Sequence, residues 1–342
     1  MNESSLHIIK NEGRLLLSTP NHLQMAHMHA KMRLMKKLMQ RTLKKSVDAS
    51  GIGLHSGRTV QLRLDPAPVD TGVVFRRTDV DAEFKATPDC VMDTMLCTKM
   101  GNDDGVTVST VEHLMSALYG LGVDNVIVSI DAEEIPIFDG SAAPFVYLLE
   151  DAGIVTQDAP KKVIKVMRKV EVVDGDKRAS FSPADHFSVN LSLDYNHPVV
   201  PAQQQKFLIN GDFYRSGIAR ARTFCFQGDV EKMQSVGLAL GGGLDNAIVV
   251  GDFSILNQTG LRYTDEFMRH KVLDCIGDLY MIGHPIIGAF DATMTGHGLN
   301  NKLLRALMAD PLNWRYMELP VDSDVLPLAP IETAVLSEIS PA

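Results

Sequence analysis

A chain of 342 residues with 45% hydrophobic and 22% charged side chains has the composition of a soluble globular protein of one large or two ordinary domains, not of a disordered chain. Its 33 Lys+Arg against 42 Asp+Glu leave a net charge of −9, which excludes a general nucleic-acid binder. No apolar run approaches the roughly 18 residues that a bilayer span needs, and four cysteines without paired spacing (Cys90, Cys97, Cys225, Cys275) read as reduced thiols of a cytoplasmic protein, not as a disulfide framework or a Cys-type zinc site.

The charge is unevenly spread. The first 38 residues hold six basic and two acidic side chains, net +4, which leaves −13 over the remaining 304. A membrane-surface arm, a targeting segment and an upstream extension outside the fold all suit such a stretch. It lacks the continuous apolar core of a secretory signal, and Pro20 follows its only apolar run, Leu15 to Leu17. These features favour the extension, with the working protein starting near Met39. The expected organisation is a basic extension over 1–38, a first domain over 39–160, a second over 161–336 and a tail over 337–342.

From Met39 onward the patterns are clear. Val60 to Leu64 alternates apolar and polar residues as a half-buried strand does, and Gly72 to Arg76 is a further strand candidate. Ser109 to Tyr119 reads as a helix with an apolar face, opened by a capping box, Ser109-x-x-Glu112, and closed by Gly120 and Gly122. A strand over Asn125 to Ile130 and a helix over Pro144 to Gly153 follow. The second half opens with strands at Val163 to Val173, Ala179 to Phe181 and Phe187 to Tyr195. It continues with a long helix from Asp265 to Tyr280, a strand from Pro285 to Phe290 and a closing helix from Asn301 to Met308. A weak internal echo links the halves. Glu112-His113 leads through a helix and a strand to Asp131-Ala132, and Arg269-His270 does the same to Asp291-Ala292. Two similar α+β halves would each present a histidine-bearing helix to a shared site.

Three stretches carry candidate chemistry. His270, Asp274 and Asp278 are spaced i, i+4, i+8 and form one stripe of a helix. Such a His and carboxylate can close on one metal ion, and the same residues equally suit a solvated face. Gly277, inside this helix, costs roughly 1 kcal/mol relative to Ala, which a close approach by another element would justify. Glu112-His113 is the second stretch: a further ligand beside a general base, or simply a capping residue and its neighbour. The third is Thr295-Gly-His297-Gly-Leu-Asn-Asn301. It places His297 where side chains reach into clefts, or is only a turn before a helix capped by Asn300 or Asn301. The glycine-rich Ala239 to Asp245 lacks the Lys-Ser/Thr of a phosphate-binding loop and reads as a loop. Phe224 to Val250 reads as ordinary core or as an insertion lining an apolar channel.

Taken together, these stretches resemble the UDP-3-O-acyl-N-acetylglucosamine deacetylases, the zinc enzymes of bacterial lipid A synthesis. Glu112-His113 within Ser109 to Leu114, Ile135 to Phe145, Ala221 to Phe224, Asp265 to Asp274 and Gly296 to Asn301 carry the resemblance, with Gln40 to Lys44, Gly51 to Gly57 and Asp93 to Thr98. It implies an α+β fold of two similar two-layer domains packed face to face around the site. It implies His113, His270 and Asp274 as ligands of one Zn2+ per chain, with Fe2+ an alternative metal, and Glu112 as the base. Thr223 and His297 would stabilise the intermediate, His297 would protonate the leaving amine, and Asp278 would hold His297 cationic. Lys271, with Lys177 a weaker candidate, would meet the substrate diphosphate, and Tyr195 the nucleotide. Leu96, Cys97 and Phe224 would line the approach to the metal, and Phe226, Val230, Leu244 and Val249 the acyl passage through an insertion at about 224–250.

The implied protein acts on a small acylated UDP-sugar as a monomer in the cytoplasm of a Gram-negative bacterium, without a transmembrane segment. Another metal-dependent amidohydrolase, or a non-catalytic binder of acylated nucleotide sugars, are the other readings. Two departures stand out. Met294 takes a place usually held by a basic residue, and Gly241 to Gly243 is glycine-richer than usual, which is expected to loosen the channel.

Overall fold

The computed structural model describes residues 39–318. The expected basic extension over 1–38, the end of the expected second domain and its tail over 337–342 lie outside the described residues.

Two five-stranded sheets organise the α+β fold. The first runs in the order Val47–Ile52, Thr59–Pro66, Val126–Ile130, Val73–Arg77, Ala82–Lys85. The second runs Val170–Asp174, Lys177–Ser182, Ala289–Thr293, Ser188–Leu193, Gln203–Leu208. In both, the strand that comes last in the chain is inserted at the centre, antiparallel to one neighbour and parallel to the other. The two halves therefore share one topology, and the faint echo read from the sequence is its trace.

The helices repeat the same plan. Helix α1 (Glu112–Leu121) precedes the central strand of the first sheet and α2 (Ala143–Ala152) follows it. A short helix, α3 (Gln227–Ser235), lies in the second half. There α4 (Glu266–Tyr280) precedes the central strand and α5 (His297–Ala309) follows it. Alternation buries one face of each sheet: Val60, Leu62 and Leu64 in the first, Val189, Leu191 and Leu193 in the second. Every residue of α1 is buried, because its far side packs against α4 of the other half. Tyr280 of α4 donates its hydroxyl to the Val123 carbonyl just past α1, at 2.7 Å. The two halves thus share one continuous core.

Several boundaries differ from the sequence reading for one physical reason: the chain changes sheets. The expected strand Val163 to Val173 is two strands. Lys162–Val166 pairs with Ile286–Ile287 and Trp314–Glu318, whereas Val170–Asp174 edges the large sheet. The expected strand Pro285 to Phe290 divides at Gly288, where an added Cβ would lie 2.6 Å from Val166 Cγ2. The closing helix starts at His297 with Gly296 as its N-cap, so neither Asn300 nor Asn301 caps it. At 224–250, Phe224–Phe226 pairs in parallel with Ile248–Val250 and α3 sits between them.

Candidate active site

Helix periodicity puts His270, Asp274 and Asp278 on one face of α4, and all three are buried, so this stripe is not a solvated face. α1 reaches the same place because α4 has no side chain where the two helices cross. An added Cβ at Gly277 would lie 2.0 Å from the Glu112 carbonyl oxygen. The close approach expected for Gly277 is thus the backbone of Glu112, and it brings Glu112 and His113 against the α4 stripe.

His113, His270 and Asp274 offer three donor atoms within 4.8 Å of one another. The His270 ring sets its own tautomer: Nδ1 donates to the Ala221 carbonyl at 3.0 Å. Burial pushes its pKa down to about 4, against the pull of Asp274, so the ring is neutral near pH 7. Its Nε2 lone pair then faces Asp274 Oδ1 at 3.2 Å, with His113 Nε2 at 3.6 Å from the same oxygen. A lone pair set against a carboxylate oxygen in a buried site is repulsive unless a cation lies between them. Two imidazoles and one carboxylate therefore fit a metal ion and leave a coordination position open, as catalytic zinc sites do. Asp274 is also held by Lys271, whose Nζ donates to Oδ2 at 2.8 Å. Burial alone would raise the Asp274 carboxyl, but the positive charge beside it, at neutral pH that of Lys271, holds it well below the usual range.

The expected capping box does not form. α1 begins at Glu112 behind Val111, and no side chain caps it. The Ser109 hydroxyl donates to the Glu133 carbonyl instead. Thr110, at a φ of 57°, turns the chain so that the Glu112 carboxylate points away from the helix end and accepts from the Thr98 N–H at 3.0 Å. Burial raises the Glu112 carboxyl, with His297 and His113 opposing, which suits a proton acceptor.

His297 is the first residue of α5, and its Nε2 lies 3.9 Å from Glu112 Oε1. Its Nδ1 faces Asp278 Oδ2 at 2.9 Å. Burial and the helix N-terminus both disfavour an imidazolium, the latter by roughly 0.3–1 kcal/mol. Asp278 and Glu112 outweigh them, and the His297 pKa rises to about 9.

These groups open on a cavity of about 560 Å³. Thr223, Tyr195, Leu96, Cys97, Phe224 and Lys271 all reach its wall, as do the expected acyl-passage residues Phe226, Val230, Leu244 and Val249. The structure does not bring Lys177 there: it is exposed at the start of its strand. Met294 also lies outside the wall, where its sulfur accepts from the Asp194 N–H at 2.9 Å. Within the glycine run, Gly241 serves a tight contact, since its Cβ would lie 2.3 Å from the Gly53 carbonyl oxygen, whereas Gly242 and Gly243 reach the cavity wall and a Cβ at Gly243 would meet nothing within 4 Å.

Sequence reasoning missed the residues that hold these groups in place. Asn300 donates to Asp278 Oδ2 at 2.8 Å, one helical turn after His297. Glu266 and Arg222 form a buried ion pair at 2.9 Å that anchors the segment carrying the Ala221 carbonyl and Thr223. Glu134 accepts from the backbone of His55 and Ser56 and from the Thr110 hydroxyl, fixing the turn before α1. Only Asn300, at i+3 from a candidate histidine, left a local signal.

A family model described as UDP-3-O-acyl N-acetylglycosamine deacetylase matches residues 40–309. A Vibrio parahaemolyticus protein named UDP-3-O-acyl-N-acetylglucosamine deacetylase is 54% identical over 285 residues. A Mannheimia succiniciproducens protein of the same name is 54% identical over 284 residues. Each alignment spans 82% of this chain and 93% of the relative.

Proposed function

Because the chain belongs to the UDP-3-O-acyl N-acetylglycosamine deacetylase family, we propose that it hydrolyses the N-acetyl group of UDP-3-O-(3-hydroxyacyl)-N-acetylglucosamine with one zinc ion per chain, releasing acetate and the free amine at the committed step of lipid A biosynthesis. Deacetylation is the activity in the names of its relatives. One observation supports the rest: the buried His113, His270 and Asp274 donor set and the Glu112–His297 pair, 3.9 Å apart, open on one cavity with an apolar arm.

His113, His270 and Asp274 would hold the metal. When bound, it would lower the pKa of a water molecule and polarise the acetamide carbonyl. Glu112, raised by burial, takes the proton from the attacking water at Oε1, the oxygen not engaged by Thr98. The Thr223 hydroxyl and the His297 Nε2–H donate to the oxyanion as it forms. His297, kept cationic by Asp278, passes its Nε2 proton to the departing amine. Lys271 keeps two N–H bonds beyond the one to Asp274 and offers them to the substrate diphosphate. Tyr195 meets the nucleotide. The acyl chain lies between Phe226, Val230, Leu244 and Val249, its buried methylenes each worth about 0.8 kcal/mol.

No helix among the described residues is long and apolar enough to cross a membrane. The expected setting is the cytoplasm of a Gram-negative bacterium, with each chain working alone. The reading is tested by acetate release from three substrates: the complete one, one without the acyl chain and one without UDP. Release that needs both groups supports it. Equal release from a simple N-acetyl sugar would replace it with a less selective amidohydrolase.

A further inference from the structure

The acid–base pair sits in a closed ring of contacts, and one uncharged residue closes that ring. Thr98 is buried, 2% exposed, just before the strand Lys99–Gly101. Its backbone N–H donates to Glu112 Oε2 at 3.0 Å, and its hydroxyl donates to Asp278 Oδ1 at 2.7 Å. Glu112 turns its other oxygen, Oε1, toward His297 Nε2 at 3.9 Å, and Asp278 Oδ2 meets His297 Nδ1 at 2.9 Å. The circuit therefore runs Thr98, Glu112, His297, Asp278 and back to Thr98.

Two of these contacts cross between the halves. Thr98 and Glu112 belong to the first half, Asp278 and His297 to the second. Thr98 is separated from Asp278 by 180 residues. We propose that Thr98 is a positioning residue that fixes the spacing of base and acid across the two halves. Its N–H commits Oε2 of Glu112 and leaves Oε1 to act. Its hydroxyl fixes the rotation of the Asp278 carboxylate and, through it, the His297 ring. Asn300 holds Oδ2 of the same carboxylate at 2.8 Å, and His297 Nδ1 lies 3.1 Å from Oδ1 as well, so loss of the Thr98 hydroxyl would leave Asp278 paired but remove the contact that ties Oδ1 to the first half. This inference rests on the acid–base roles proposed above for Glu112 and His297.

The test compares Thr98→Val and Thr98→Ser with the parent enzyme, measuring kcat, KM, metal content and thermal unfolding. Valine keeps the shape and the N–H but removes the hydroxyl; serine keeps the hydroxyl. Thr98→Val removes one hydrogen bond to a charged group and should lose roughly 10- to 100-fold in kcat. KM and metal content should stay close to parent values, and Thr98→Ser should recover most of the rate. Three results overturn the proposal: parent-level kcat in Thr98→Val, equal losses in both variants, or a loss that follows metal content or unfolding. If Thr98→Val does not fold, Thr98→Ser and Thr98→Cys decide: kcat equal in the two, despite the weak thiol donor, would also overturn it. Glu112→Gln, assayed alongside, separates the premises. Full activity there would remove the acid–base reading itself, whereas a loss there with parent-level Thr98→Val removes only the role of Thr98.

Discussion

Gly277→Ala tests whether the crossing of α1 and α4 sets the site. The new methyl would stand 2.0 Å from the Glu112 carbonyl oxygen, 2.8 Å from its carbon and 3.0 Å from its Cα, where ordinary contact begins at 3.4 Å. These atoms are backbone, so no side chain can swing aside. The helices must part by about 1 Å or more, because a packed core has no free volume to absorb a methyl. Two terms decide the stability. Alanine gains roughly 1 kcal/mol in helix propensity, and overpacking costs about 1–3 kcal/mol. The net loss of up to ~2 kcal/mol lowers Tm by several degrees.

The functional cost is expected to be larger. Parting the helices carries Glu112 and His113 away from His270, Asp274 and His297, and a misplacement of ~1 Å can cost about 100-fold in rate. The assay pairs kcat at saturating substrate with metal affinity by chelator competition and thermal unfolding. Gly228→Ala on α3, where an added Cβ meets nothing within 4 Å, is the control and should keep its rate. Parent-level kcat and metal affinity in Gly277→Ala would refute the argument.

Three further outcomes are expected. Glu112→Gln keeps the Thr98 contact but cannot take a proton, so initial rates should fall by roughly 100- to 10,000-fold with metal content unchanged. In metal-free protein, NMR should show His297 titrating near pH 9. Because this folded value lies above the unfolded one of about 6.5, its contribution to stability is complete below pH ~6.5 and drains as pH rises through 9. Denaturant melts across that window should show the decline, and Asp278→Asn should flatten it. Burial pushes the Cys97 thiol up to about 12, so at pH 8 it should resist iodoacetamide in the folded protein and react readily once unfolded, as read by peptide mass spectrometry.

The parts of the site legible in the sequence were those written in local spacing. The i, i+4, i+8 stripe of α4 and the costly glycine within it placed His270, Asp274 and Gly277 together before any fold was known. The doubled topology left only a faint trace, because two sheets with one strand order need only matching periodicity and few shared residues. Glu112 misled the local reading: Ser109-x-x-Glu112 has the form of a capping box, and only the turn at Thr110 sends the carboxylate elsewhere. Thr98, Glu266 and Glu134 were illegible because their partners lie far off in the chain, at Asp278, Arg222 and Ser56. The sheet-changing break after Val166 was hidden because strand-forming residues resume at Val170 after only Arg168-Lys169, and the one at Gly288 because apolar residues run on both sides of it.

If His113, His270 and Asp274 hold one metal ion that the amide hydrolysis requires, activity must follow metal loading. Protein stripped with a chelator should be titrated with Zn2+ while acetate release from the acylated UDP-sugar is followed. Activity should be absent at the start, rise linearly and break at one equivalent per chain, and fail to return in Asp274→Ala. Full activity in the stripped protein, or the same titration curve in Asp274→Ala, would contradict it.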